Sequence, residues 1–272
     1  MTGTLAQIIA LTTYGNAYVK NGTIPDNFST ANTTFQFCNK IDFWEFRKRF
    51  FFSKPKEEVI AGDPAEWFEY LKAGGCRHLR LYFEHSKDQS QIKDYKMSGF
   101  VGGGGTWFIE AIYDKYSNYW TNRWQANEKA TDNKVWTVSY GTILTRQRTI
   151  NLQIDNEGIK SRLRQTLAEI ADFAFKQDLQ DWGERFETAK IILESASPEE
   201  NYYHKDLIPL DNYSLTAKQV LFSAGSAWVF GGMGSWNDLG FESKEDNDTY
   251  DRLSEQLYSD INEAIIATVN TY

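Results

Sequence analysis

Residues 106–144 read TWFIEAIYDKYSNYWTNRWQANEKATDNKVWTVSYGTIL and contain three predicted strands in close order. These strands cover residues 106–114, 119–126 and 134–144, and short polar segments separate them. Short connections join antiparallel neighbours, because a parallel pair needs a crossover of a dozen residues or more. The stretch therefore predicts an antiparallel meander.

Strand patterns also lie on both sides of the meander. Residues 33–52 alternate around a turn-like Asn39-Lys40 and suit a hairpin, residues 76–85 form another alternating run, and residues 149–154 add a last one. Two helices are also predicted in this part of the chain. The first covers residues 4 to about 13, ahead of the strands, and ends at the glycines that follow it. The second covers residues 64–73 and begins at Asp63 and Pro64.

After residue 155 the apolar period becomes helical. A stripe that begins at Ile159 breaks near Gln177 and resumes to about residue 193, and further helices are predicted over 216–230 and 246–269. We therefore expect an α+β fold, in which an antiparallel sheet, mainly residues 33–155, packs against C-terminal helices. Residues 1–272 are expected to form a single domain with a β-rich part, 1–155, and a helical part, 156–272.

Composition narrows the class of protein. The chain has 9 Trp, 15 Tyr and 18 Phe, which is far from the aromatic-poor composition of disordered proteins. It has no apolar run of membrane-spanning length and no basic segment ahead of an apolar core at its start, so we expect a cytoplasmic protein without a membrane segment. Cys38 and Cys76 lie in strand-like runs and are predicted to be free thiols, although their number also allows one disulfide.

Charge divides the chain unevenly and bears on its partners. The net charge of −8 combines about +3 in residues 1–155 with −11 in residues 156–272. This acidity disfavours nucleic acid and favours a basic protein partner. The local exception is Arg47-Lys48-Arg49, which three phenylalanines follow. It suits either a grip on single-stranded nucleic acid or an edge strand guarded by charge, and we favour the edge strand.

Sequence motifs for catalysis and for cofactor or metal binding are few, and no catalytic residue can be assigned. Gly102–Gly105 lacks the Lys-Ser/Thr and the following helix of a phosphate loop, so no cofactor is expected. The three histidines and two cysteines show no metal-binding spacing, and no metal site is predicted. No Gly-x-Ser-x-Gly nucleophile motif occurs.

Two groups of residues are candidates for binding. An aromatic groove with paired acids would use Trp120, Trp124 and Trp136 with Glu110 and Asp114, although a tryptophan face of this kind also suits a core. The glycine-rich segment 225–240 offers Trp236 as a platform and Asp238 as a hydrogen-bond acceptor, although it also suits a closely packed helix end.

The leading hypothesis is a non-enzymatic intracellular protein-interaction protein, of an inhibitor or immunity type, that binds through an acidic helical surface around Glu245, Asp246, Asp248 and Asp251. The alternative is a small-molecule or carbohydrate-binding protein or hydrolase that uses the tryptophan-lined groove. Neither the identity of the partner nor the oligomeric state follows from the sequence.

Overall fold

The computed structural model describes residues 1–25, 28–47, 56–87, 92–100, 103–127, 130, 132–149 and 154–272. Its strands are β1 (Cys38–Arg47), β2 (Lys56–Ala61), β3 (His78–Glu84), β4 (Thr106–Ile112), β5 (Ser117–Ala126) and β6 (Trp136–Gln147). Its helices are α1 (Gly3–Asn21), α2 (Phe28–Ala31), α3 (Pro64–Ala73), α4 (Asp94–Met97), α5 (Asn156–Lys176), α6 (Gln180–Ile192), α7 (Leu215–Ser226) and α8 (Lys244–Val269). Short 3-10 helices lie at Thr33–Phe35, Leu210–Asn212 and Trp236–Asp238.

The six strands form one sheet in the order β2-β1-β6-β5-β4-β3. The meander β4-β5-β6 is confirmed, and C-terminal helices pack against this sheet, so the predicted α+β class is correct. The sheet is mixed rather than wholly antiparallel, because β1 pairs parallel to β6. This pairing joins segments almost a hundred residues apart, and nothing in the local alternation marks it.

Strand β2, and not β1, forms one edge of the sheet. Arg47 therefore ends an interior strand, where the sequence suggested a guarded edge. Residues 48–55 lie outside the described residues, as do residues 150–153 of the last predicted strand.

Helix α1 runs past the glycine at which the sequence suggested that it ends. The Thr2 hydroxyl accepts a hydrogen bond from the Leu5 N–H at its start, and Gly22 ends it in the left-handed region with φ of 78°. Gly15 stays inside the helix, because a Cβ there would lie 2.4 Å from Leu79 Cδ1. The missing side chain lets the helix approach the sheet closely.

The other helix boundaries follow local chemistry more directly. Asp63 Oδ1 accepts the Glu66 N–H at 3.0 Å and Pro64 occupies the first turn, which confirms the predicted helix α3. The predicted break near Gln177 is confirmed between α5 and α6, where Asp178 adopts φ of 57°. Helix α7 ends at Ser226 and not at residue 230, because the chain turns into the glycine-rich segment there.

The helices build two layers over one side of the sheet. Helix α1 packs against β3 and β4, α3 against β1 and β2, and α8 against β3, while α5, α6, α7 and α8 pack against one another. Between the sheet and helix α3 lies an aromatic stack, in which the centroid of the Phe43 ring lies 4.4 Å from that of Trp67 and 5.3 Å from that of Tyr140. Cys38 and Cys76 are free and buried, as the sequence predicted, and burial raises the pKa of the Cys76 thiol to about 12.

Two asparagine side chains cover the outer edge of β3. The amide of Asn16 donates to the Leu79 carbonyl at 2.8 Å and accepts from the Leu79 N–H at 2.6 Å. The amide of Asn270 makes the same pair with Leu81, at 2.9 and 2.8 Å. Each amide imitates a neighbouring strand, so the outward backbone groups of Leu79 and Leu81 are satisfied without another strand. Helix α1 and the end of α8 are fastened to the sheet in the same way.

We predict that Asn16→Leu lowers the free energy of unfolding by about 2–5 kcal/mol, because it leaves a buried N–H and a buried carbonyl of Leu79 unpaired. Urea denaturation followed by circular dichroism measures this loss. Asn21→Leu on the exposed end of α1 is the matched control and should change stability by less than about 0.5 kcal/mol. Equal stability of the two variants would contradict the assigned role of Asn16.

Buried tyrosines should make the fold sensitive to alkali. Burial raises the pKa of Tyr14 and of Tyr119 to about 12, and it raises the pKa of Tyr140 and of Tyr213 further. The pKa of a tyrosine in the unfolded chain is about 10. Above that pH the folded chain holds more protons than the unfolded chain, so stability is complete below about pH 10 and falls as the pH rises through the folded values.

The absorbance of tyrosinate at 295 nm should therefore show only part of the 15 tyrosines titrating near pH 10 in the folded chain, with the rest appearing together with unfolding. The chain in urea serves as the control, because all its tyrosines are free to ionise. Superimposable titration curves would show that the aromatic core is not formed.

Candidate functional site

The three candidate tryptophans of the meander lie on the helix-covered side of the sheet. Trp120 is fully buried, and its ring lies 5.3 Å from Trp67 and 6.4 Å from Phe43. Trp124 and Trp136 are half-buried against the same core and meet at 5.7 Å with nearly perpendicular planes. The structure thus brings Trp124 and Trp136 together, and it gives Trp120 no surface toward a ligand.

The two acids expected beside these tryptophans lie elsewhere. Glu110 faces the opposite side of the sheet, in a row with Arg80 and Tyr119. Asp114 is exposed in the turn after β4, where it pairs with Arg77. That turn and the Trp136 end of the meander are at opposite ends of β5. Strand alternation and bulges in β5 therefore separate the acids from the tryptophans.

Glu110 takes part in a buried ion pair. Arg80 Nε and Nη2 both donate to Glu110 Oε2, at 2.9 and 2.7 Å, and the carboxylate is 1% exposed. The second oxygen, Oε1, is buried and has no hydrogen-bond partner among the described residues. Burial first, and the negative charge of Glu110 second, raise the pKa of Tyr119 to about 12, so its hydroxyl remains protonated at neutral pH.

Trp236 anchors the glycine-rich segment 225–240 from inside. Its ring is fully buried and lies 5.7 Å from Trp182 and 5.1 Å from Phe186. Its indole N–H donates to Ser254 Oγ at 2.8 Å, and its carbonyl accepts the Tyr250 hydroxyl at 2.6 Å. The segment is therefore fixed to α6 and α8 by a side chain that the sequence suggested as a surface platform.

Asn237 and Asp238 hold the loop that precedes them. Asn237 pairs with both backbone groups of Gly231, at 2.9 and 3.1 Å, and Asp238 Oδ2 accepts the Gly234 N–H at 2.6 Å. Asp238 is thus a hydrogen-bond acceptor, and the donor is a backbone N–H of its own chain. Gly234 has φ of 84°, a conformation that suits glycine. Between these fixed points the Met233 side chain is fully exposed.

A second exposed apolar side chain lies next to this loop. Gly99 approaches it so closely that a Cβ at this position would lie 1.8 Å from the Gly231 carbonyl oxygen. The next residue, Phe100, is 63% exposed. We call residues 99–100 and 231–234 the Met233 tip. Sequence reasoning missed both apolar residues, and the only signal was the density of glycines around Met233.

Asp238 and Asp251 follow Trp236 and Tyr250 by two residues and one residue, and the Tyr250 hydroxyl donates to the Trp236 carbonyl. Burial first, and then the charges of Asp251 and Asp238, raise the pKa of Tyr250 above its usual range. Asp251 accepts the Tyr95 hydroxyl at 2.7 Å and pairs with Lys96 at 2.9 Å. Although burial alone would raise the pKa of Asp251, these two partners lower it.

The acids at the start of α8 divide into two kinds. Asp246 receives hydrogen bonds from Ser243 and Gln177, and Asp248 pairs with Lys244 at 3.0 Å. These two stabilise the helix start, where the helix dipole also favours negative charge. Glu242 and Glu245 are exposed and make no ion pair with any residue in the described ranges. Their charge is available to a partner.

The histidines serve local contacts. The Thr33 hydroxyl donates its single proton to Asp206, so it accepts from His204 Nδ1 at 2.8 Å. His204 is therefore not placed to remove the Thr33 proton, and the cluster ties the loop before α7 to the first 3-10 helix. His85 Nδ1 lies 3.0 Å from Asp94 Oδ2. In the part of the chain that the structure describes, no three metal-binding side chains cluster.

Comparison of the chain with protein-family models, with curated proteins and with solved structures finds no match. No helix within the described ranges has the length and apolar character needed to cross a bilayer. The function is therefore argued from the geometry of this chain.

We predict that Glu110→Gln lowers the free energy of unfolding by about 3–5 kcal/mol, because it leaves the Arg80 guanidinium buried without its counter-charge. Asp114→Asn is the matched control. Its ion pair with Arg77 is exposed, so the loss should stay below about 1 kcal/mol. Thermal and urea unfolding of both variants measure the difference, and a Glu110→Gln variant as stable as the control would show that the ion pair does not support the sheet.

Proposed function

We propose that the chain is a non-enzymatic protein-interaction protein that binds a basic partner protein through the Met233 tip and the acids beside it. The observation that carries this proposal is the full exposure of Met233 on a loop whose backbone the chain itself fixes. A large apolar side chain held outward is costly in water and becomes favourable when a partner covers it. Methionine suits this role, since its flexible thioether adapts to the surface it meets.

The contacts that hold the Met233 tip support a binding role for its exposed side chains. Trp236 fastens the loop to α6 and α8, Asn237 closes it at Gly231, and Asp238 closes it at Gly234. A surface that is ordered before binding loses little conformational entropy when a partner docks. Phe100 adds a second apolar contact on the same tip.

Charge indicates the kind of partner. Among the described residues, Glu242 and Glu245 have no ion-pair partner, and the exposed Asp238 accepts the Gly234 N–H. The helical part as a whole has a net charge of −11. Exposed acids on the helical part increase the rate of encounter with a basic surface and orient it.

The proposal predicts that a partner retained by the wild-type chain is lost by Met233→Ser. The tagged variants are used to capture proteins from the extract of their own cells, and native mass spectrometry measures stoichiometry. Ile191→Ser, at a 68% exposed apolar residue on α6, is the control and should retain the partner.

The same partner should associate about three- to tenfold more slowly with Glu242→Gln/Glu245→Gln at low salt, with a flatter dependence on salt. Glu69→Gln/Asp211→Asn changes the charge equally at exposed acids on α3 and before α7, and should leave the rate unchanged. A partner held equally by Met233→Ser, a rate insensitive to Glu242 and Glu245, or no retained protein at any salt concentration would overturn the proposal.

A further inference from the structure

The side of the sheet opposite Trp120 carries a concave surface. Its centre is a set of rings from three neighbouring strands, where Tyr82 lies 5.5 Å from Tyr119 and 6.1 Å from Phe108. Leu144 of β6 continues this set and is 48% exposed. The cavity above these residues has a volume of about 570 Å³. This size falls in the range of sites for small ligands.

Polar groups of both charge signs form the rim of this cavity. Glu84 at the end of β3 lies on one side, and Gln147, Arg148 and Thr149 lie on another. The second wall exists because β6 changes direction at Arg146, which has φ of 55° and donates its N–H to an Asn118 side chain. The rim therefore offers a carboxylate and a hydroxyl as acceptors, and a guanidinium and an amide as donors.

A buried ion pair lies beside the rings, on the same face of the sheet. The Arg80–Glu110 ion pair lies in the row next to Tyr82 and Phe108, and Tyr119 stands beside Glu110. Glu110 is 1% exposed and has one carboxylate oxygen without a partner among the described residues. Glu110 lies directly opposite Tyr119 in the β4–β5 pairing, so the bidentate ion pair holds the strand that carries one of the rings.

We propose that this cavity is a binding site for an uncharged, polyhydroxylated ring of the pyranoside class. Phe108 and Tyr119 are 6% and 7% exposed, so the half-buried Tyr82 ring presents most of the electron-rich aromatic surface that suits the C–H groups on one face of a pyranose. Glu84, Gln147 and Arg148 are placed around the edge, where the equatorial hydroxyls of such a ring point. This site is distinct from the Met233 tip and does not depend on the function proposed for it.

Other ligand chemistries fit the cavity less well. A ligand with net charge would meet Glu84 or Arg148 with the same sign as its own. A purely apolar ring would cover the rim groups without replacing their hydrogen bonds to water, which costs free energy. A neutral ring with several hydroxyls avoids both penalties.

Saturation-transfer NMR on the full chain tests this site. The probes are methyl β-D-glucopyranoside, methyl β-D-galactopyranoside and, as an apolar ring of similar size, cyclohexanol. At least one pyranoside should receive saturation at its ring C–H groups, while cyclohexanol should bind more weakly than that pyranoside. Tyr82→Ala and Arg148→Ala should each raise the dissociation constant by about tenfold.

Ile191→Ala is the control for these variants, because it removes an exposed apolar side chain of α6 that does not line the cavity, and its dissociation constant should equal that of the wild-type chain. Circular dichroism establishes that each variant is folded. Absence of transfer to both pyranosides, binding of cyclohexanol as strong as theirs, or undiminished binding by folded Tyr82→Ala and Arg148→Ala would overturn the proposal.

Discussion

The structure depends on how the outer edge of β3 is closed. An edge strand presents unpaired N–H and carbonyl groups, and here the amides of Asn16 and Asn270 satisfy those of Leu79 and Leu81 in place of a further strand. Because Asn16 lies on α1 and Asn270 follows α8, the same four hydrogen bonds hold the first and last helices against one strand. The helical part is thereby positioned over one side of the sheet.

The sequence predicted the elements that local signals specify, and it did not predict those that depend on contacts distant in sequence. Local chemistry was sufficient for α3, since Asp63 and Pro64 mark its start, and for α8, since its apolar stripe is long. It was sufficient for the meander as well. The parallel pairing of β1 with β6 and the continuation of α1 through Gly15 depend on contacts distant in sequence, which leave no local pattern.

The candidate site residues show the same limit. Alternation within β5 placed Trp120 and Trp124 on one face, but it could not show that α3 covers Trp120 there. Glu110 is close to the tryptophans in sequence and on the other side of the sheet in space. Trp236 was singled out correctly as unusual, and its importance is to hold Met233 in place from the core. Composition identifies an unusual segment, whereas only packing decides which of its residues reaches solvent.

The proposed docking surface is one that the chain orders before a partner arrives. Hydrogen–deuterium exchange of the captured complex, compared with the free chain, measures both this order and the place of docking. We expect residues 229–238 to exchange slowly already in the free chain, because Asn237 and Asp238 bond the loop backbone, and added protection on binding to centre on residues 99–100 and 231–245. Fast exchange of this loop in the free chain, or protection confined to other parts of the molecule, would contradict this expectation.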